Sequence, residues 1–217
     1  YWEAFSSKMI LDIFKFYHGY QKNKKTLSVK FLNYNNKEYG AVVVICPNRS
    51  GVLKDIVAGF HSSQINILGS RIISLNNNDI IDVFWVTSSI QKAIVEKNEQ
   101  ERVIQNITAS LNQEELETYQ SLFPTKNKVE VEPRVMIDNK MSKLATTFQI
   151  LSGDRQGLLM DILQIFHDQN MSVQSAKIST YGEKVFDIFQ ITDLKNKKVN
   201  DTQILKKIEN QLLKILS

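Results

Sequence analysis

Two short runs carry the residue types from which a small polar ligand could be held. They are Asn48, Arg49, Ser50, Gly51, Val52 and Leu53, and Asp154, Arg155, Gln156, Gly157, Leu158 and Leu159. In each, a strand-like segment ends, the chain turns at a glycine, and an apolar helical pattern begins at or near that glycine. The first turn of a helix leaves backbone N–H groups unpaired and carries a partial positive charge, so a carboxylate can rest there. Glycine at 51 or 157 removes the Cβ that would hold a ligand away. Asn48 or Asp154 offers a side-chain oxygen to an α-ammonium group. Together these groups recognise the backbone half of a free amino acid. A plainer reading stands beside it: Asn48 and Asp154 lie where helix N-caps would, and the glycines are placed where turn geometry alone could require them. Arg49 and Arg155 read as surface or interface cations rather than direct ligands.

Other reactive residue types assemble into no catalytic set. Asp82 and Asp187 precede aromatic strand residues and read as turn-end or hydrogen-bonding groups rather than acids in catalysis. The His167–Asp168 dipeptide is matched in the first half by His61–Ser62, and the third histidine is His18, so no metal site is expected. Cys46 stands alone, which rules out an internal disulfide or a CxxC pair and suits a reducing cytoplasm, and it reads as a small buried hydrophobe.

The elements that position the two runs are themselves repeated. Sliding the chain by 106 positions superposes Arg49 on Arg155, Gly51 on Gly157, Asp55 on Asp161, Phe60 on Phe166 and His61 on His167. After a one-residue gap, DVFWVT from Asp82 meets DIFQIT from Asp187. This is an internal duplication. In each copy a short β-branched or aromatic run, AVVVIC at 41–46 or TTFQIL at 146–151, reads as a strand. Leu53, Ile56, Val57 and Phe60, like Leu159, Ile162, Leu163 and Phe166, then recur at helical spacing as one apolar stripe. Strands are predicted at 65–74, 80–87, 173–180 and 185–192, and a second amphipathic helix closes each copy. That is β-α-β-β-α, one strand short of a ferredoxin-like unit. The runs LSVKFLN at 27–33 and EPRVMID at 132–138 precede the two copies at the same offset. Each is predicted to form a hairpin with the following strand and to fill the edge where a fourth strand would lie.

The totals agree with an ordinary globular chain: 217 residues, 42% hydrophobic and 23% charged, are enough for two modest domains. The net charge of +4 is spread over short lysine runs in Asn-rich loops, which read as solvated surface rather than a nucleic-acid stripe. No apolar run approaches the roughly 18 residues that would span a bilayer. The first residue is Tyr1 rather than a methionine, as expected of a segment of a longer product.

The loop signatures NRSGVL and DRQGLL within this frame resemble the ACT domain, a small-molecule sensing module. The second half, IDNKMSKLATTFQILSGDRQGLLMDI followed by SAKISTYGEKVFDIFQITDLKNKKV, is similar to the bifunctional PII uridylyltransferase/uridylyl-removing enzyme family, as is the opening YWEAF…FYHGY. The resemblance implies an α+β fold of two tandem ferredoxin-like ACT domains, antiparallel sheets with helices packed on one face, preceded by a short helix. The implied division is a helical linker at 1–25, a first ACT domain at 26–125 and a second at 129–217. It also implies a regulatory role in nitrogen metabolism, with glutamine as the bound amino acid. The partners would be the parent's catalytic domains, PII protein through the parent, and a second copy through the ACT sheets.

No Gly-Ser motif with paired aspartates and no HD metal set is found, so the chain itself is not expected to be an enzyme or to hold a cofactor. The parent's catalytic domains are expected to use Mg. Amino-acid-binding ACT domains carry an Asn in the loop and a second at the start of the next strand, which Asn48 and Asn66 match, whereas the second copy has Asp154 and Ser172. The alternative is an ACT-type oligomerisation or interaction module that binds no ligand. An RNA-recognition fold shares the frame, but no RGFGFV-like run is present.

Overall fold

The computed structural model describes residues 6–32, 39–88, 96–114, 131–155 and 157–216. The chain divides into two compact units, Tyr1–Asn48 with Ala58–Leu122, and Arg49–Val57 with Phe123–Ser217. In chain order the elements are α1 (Ser7–Lys22), β1 (Ser28–Leu32), β2 (Gly40–Pro47), α2 (Val52–Ser62), β3 (Ile65–Ser74), β4 (Asp79–Ser88) and α3 (Lys97–Leu111). They continue with β5 (Arg134–Asp138), β6 (Thr146–Gly153), α4 (Leu158–Asp168), β7 (Met171–Tyr181), β8 (Lys184–Asp193) and α5 (Thr202–Leu216).

The expected hairpins are present in both copies. β1 pairs antiparallel with β2, placing Val29 opposite Val44 and Phe31 opposite Val42. β5 pairs antiparallel with β6, placing Val135 opposite Ile150 and Ile137 opposite Phe148. In the first unit β2 pairs with β4 and β4 with β3, all antiparallel. The second repeats this through β6, β8 and β7. Each sheet is therefore a complete four-stranded ferredoxin-like sheet with its edge strand supplied from upstream.

In the first unit α1 covers one face of the sheet. It begins at Ser6, whose Oγ accepts the Met9 N–H at 3.2 Å. Met9 and Tyr20 then bury against Ala41, Val43, Ile45, Ile81, Val83 and Trp85. The opposite face packs Phe84 against Phe60 with ring centroids 4.9 Å apart, and buries Val103 and Ile107 of α3. Gly59 makes this approach possible: a Cβ there would lie 2.6 Å from Ile107 Cα. Covered on both sides, β2 is buried along nearly its whole length.

In the second unit Phe166 of α4 packs edge-on to Phe148 and Phe189, with centroids 5.3 and 5.4 Å away. Ile208 and Leu212 of α5 complete this core. The opposite face is more open: β8 alternates between buried and partly exposed positions, and Met136 of β5 is exposed. α5 starts at Asp201, whose Oδ1 accepts the N–H groups of Gln203 and Ile204 at 2.8 and 3.3 Å. Among the described residues no helix is long and apolar enough to cross a membrane.

Candidate functional site

The two loops are built alike. The Asn48 N–H donates to Asn78 O at 2.7 Å and the Asp154 N–H to Glu183 O at 2.7 Å, so each loop is pinned to the turn between the two strands that follow its helix. In the first loop the Asn78 side-chain amide also donates to Asn48 O at 3.2 Å. The chain then passes through a left-handed glycine, Gly51 at φ +79° and Gly157 at φ +76°. Helix entry is closed by Val52 N–H to Arg49 O and Leu158 N–H to Arg155 O, both 3.2 Å. Asp55 N–H to Gly51 O and Asp161 N–H to Gly157 O follow, both 3.0 Å.

This geometry overturns the capping alternative for Asn48 and Asp154. The helices begin at Val52 and Leu158, four residues after Asn48 and Asp154, whereas an N-cap directly precedes its helix. Gly157 itself is the N-cap of α4 and makes no side-chain cap bond. The glycines are required by their positive φ, which a Cβ disfavours. At Gly157 a Cβ would meet nothing within 4 Å, so its left-handed backbone rather than crowding is what calls for glycine. Leu53 and Lys54 of α2 and Leu159 of α4 offer amides that take no backbone acceptor among the described residues. Gln156 lies outside the described residues.

The arginines have a role that their surface reading missed. Arg49 Nη2 meets Asp55 Oδ2 at 2.6 Å, and Arg155 Nη2 meets Asp161 Oδ2 at 2.6 Å. Each guanidinium folds over the helix entrance onto a carboxylate of the first turn, where the helix field already favours negative charge. Arg155 also donates to Ile215 O at 3.3 Å, tying the second loop to the end of α5. The sequence held the signal, since both the Arg and the Asp six residues on recur in the duplication.

Asn48 and Asn66 do not meet. Pro47 pairs with Asp79 at the start of β4 and Asn66 with Thr87 near its end. Eight residues of extended strand separate those positions by about 27 Å. Within the second unit, which includes Arg49–Val57, the first loop lies instead against the end of α4 and the start of β7. The His167 imidazole covers the open side of Gly51, with Nδ1 3.4 Å from where a Cβ would stand. The space left beside it, lined also by Leu53, Phe166, Met171 and Val173, is about 20 Å3, enough for one water. Ser172 follows Met171, and its Oγ accepts from the Gln174 amide at 3.1 Å.

Asp82 and Asp187 are not turn-end groups. Both stand within strands and are buried, Asp82 completely. Asp187 Oδ1 accepts the Ser179 N–H at 3.0 Å. Burial pushes its carboxyl up to about 7; the Ser179 N–H opposes this, and the nearby Asp154 carboxylate adds to it. Asp187 is thus a buried carboxyl that feels a residue of the candidate loop. In the first copy burial holds Asp82 well above the usual carboxylate range. The Ile73 amide faces it and pulls the other way, without reaching hydrogen-bond geometry for either oxygen. Cys46 is buried, as its apolar neighbours suggest, and no group of three potential metal ligands converges among the described residues.

Residues 141–215 match the ACR family N-terminal ACT domain. Over 226 residues, all of this chain, it is 26% identical to a bifunctional uridylyltransferase/uridylyl-removing enzyme of Azospirillum brasilense. Over 185 residues, 82% of the chain, it is 31% identical to the enzyme of the same description from Erythrobacter litoralis (strain HTCC2594). The chain spans only about a quarter of the length of these curated relatives, 24% and 20% respectively. Among solved structures, aspartate kinase from Synechocystis aligns over 82% of this chain and 26% of its own, at 14% identity and a TM-score of 0.43.

Proposed function

We propose, from the premise that this chain belongs to the ACT-domain family and aligns throughout with bifunctional uridylyltransferase/uridylyl-removing enzymes, that it is the amino-acid-responsive regulatory part of such an enzyme. Glutamine is the ligand in this reading, and residues 26–125 and 129–217 are its two ACT domains. Catalysis on PII belongs to domains beyond this chain, with Mg as their metal.

One feature supports the reading most: a loop whose backbone bonds are repeated in both copies, bringing a left-handed glycine to the entrance of a helix where the Leu53 and Lys54 amides, or the Leu159 amide, take no backbone acceptor among the described residues. A ligand carboxylate would take the Leu53 and Lys54 amides in the first loop or the Leu159 amide in the second. The Asn48 side chain or the Asp154 carboxylate would accept from its ammonium group. Arg49 and Arg155, held by Asp55 and Asp161, fix the loop shape and keep the helix entrance charged. In the first loop the ligand must displace His167, because the present space holds no more than a water. That displacement links occupancy to the position of α4, and the response it can drive is bounded by the ligand's differential affinity for the two arrangements.

The same closed space favours a second reading, an association module that binds no amino acid. Thermal unfolding with each of the twenty amino acids in turn separates the two. A ligand at a hundred times its Kd adds about 2.7 kcal/mol of stability, which for a chain of this size raises Tm by about 5–10 °C. Glutamine alone should do so, and Asn48→Ala or Asp154→Ala should abolish the shift in the copy that binds. No shift with any amino acid supports the association module.

A further inference from the structure

A second concave site lies within the first unit. A cleft of about 240 Å3 opens between the C-terminal half of α1, the turn after it and β1. Lys15 of α1, Lys25 of the turn and Lys30 of β1 all line it, and no carboxylate does. Among the described residues none of these lysines enters a salt bridge; Lys30 rests over the Phe16 ring, 5.5 Å from its centroid. All three lysines are exposed at the rim of the cleft, so an anion seated there would meet a concentration of positive charge with no carboxylate among the lining residues.

Three further observations show a cleft shaped to receive such an anion. Ser28, only 7% exposed, lines it, and its buried hydroxyl beneath has no hydrogen-bond partner among the described residues, although buried hydroxyls are normally satisfied. Gly19 lies inside α1, where glycine is unfavourable, yet a Cβ at this position would meet nothing within 4 Å. Packing therefore does not demand it, and its bare backbone leaves the cleft open. Finally, the end of a helix ordinarily presents carbonyls that repel anions. Here Asn23 N–H takes Gly19 O, Lys25 N–H takes Tyr20 O and Lys24 N–H takes Gln21 O, so those carbonyls are already engaged.

We infer that this cleft binds the phosphate group of a small molecule, with Lys15, Lys25 and Lys30 supplying charge and Ser28 a hydroxyl donor. A single carboxylate would neutralise only one of three ammonium groups, whereas a di- or triphosphate matches them, and lysine serves phosphate as a mobile point charge. Inorganic polyphosphate and nucleotides share that chemistry, and the Phe16 ring beside the cleft distinguishes them.

The test is calorimetric titration of the chain with pyrophosphate and with ADP at low salt. Binding of at least one probe is expected. It should weaken at least tenfold in Gly19→Leu, which fills the cleft while improving helix propensity, and in Lys25→Ala. It should persist in Lys206→Ala, which alters an exposed lysine of α5. Equal affinity for both probes assigns the site to the phosphate group alone, and tighter ADP assigns it to a nucleotide resting on Phe16. Failure of both probes to bind, or binding unchanged in both Gly19→Leu and Lys25→Ala, overturns the inference.

Discussion

Replacing Asp187 by asparagine should remove a pH dependence of stability that the native chain carries. The carboxyl is 2% exposed, faces no cation among the described residues, and is pushed up to about 7 chiefly by burial. In the unfolded chain the same carboxyl titrates near 3.9. The folded protein therefore holds this proton more tightly, and folding is favoured where the proton is present. The contribution is complete below about pH 4, declines as pH rises, and is lost once pH passes about 7. The full difference is a thousandfold in proton affinity, on the order of 4 kcal/mol, of which about 3 kcal/mol falls between pH 5 and pH 8.

Asparagine is isosteric, keeps an oxygen to accept the Ser179 N–H, and does not titrate. Urea unfolding at half-unit intervals from pH 5 to pH 8 is the assay, with wild type and Asp187→Asn measured in the same buffers. Taking the difference between them cancels the contribution of Asp82, which has the same sign. Wild type should lose about 3 kcal/mol more than the variant across this range. Parallel profiles for the two proteins would refute the assignment of a neutral buried carboxyl at Asp187.

Further substitutions probe the frame. Gly59→Ala should destabilise by about 1–3 kcal/mol despite the gain in helix propensity, because the added Cβ would lie 2.6 Å from Ile107 Cα; the denaturant midpoint reads this. Gly157→Ala should cost about 1–2 kcal/mol from its left-handed backbone alone, with Gly157→Asn costing less, since no neighbour stands within 4 Å of the new Cβ. A double-mutant cycle on Arg155 and Asp161, 42% and 49% exposed at their side chains, should give a coupling below about 1 kcal/mol in stability while weakening glutamine binding several-fold.

Much of the fold was legible because burial leaves its mark on composition. AVVVIC is apolar at every position, and β2 is covered on both faces; TTFQIL interrupts its apolar residues with Gln149, and β6 has one more open face. The edge strands could be placed because Val29 and Val135 stand at the offset of the duplication, which fixes what each must pair with. That α1 would cover the first sheet was not read, because its apolar residues mark a helix face without saying which surface the face meets.

The loops were legible as a repeated strand–glycine–helix junction, but the capping read into them is not what the structure shows. A left-handed glycine and a capped helix entrance leave nearly the same sequence trace, so Asn48 and Asp154 looked like caps. Asn48 and Asn66 match two positions of one pattern, but similarity aligns positions without supplying distance, and the antiparallel register carries them to opposite ends of β4. Asp82 and Asp187 were visible as repeated residues. Their burial was not, because a carboxylate inside a strand is costly and therefore seldom expected.

Binding of a free amino acid by the duplicated loops should be visible in the backbone amides of a 15N–1H spectrum as glutamine is added. The prediction is a saturable shift confined at first to one helix entrance, either Leu53 and Lys54 or Gly157 and Leu159, accompanied by the His167 ring signals if the first loop is the one that binds. Spectra that superimpose at every glutamine concentration, or that move only at residues remote from both entrances, would contradict it.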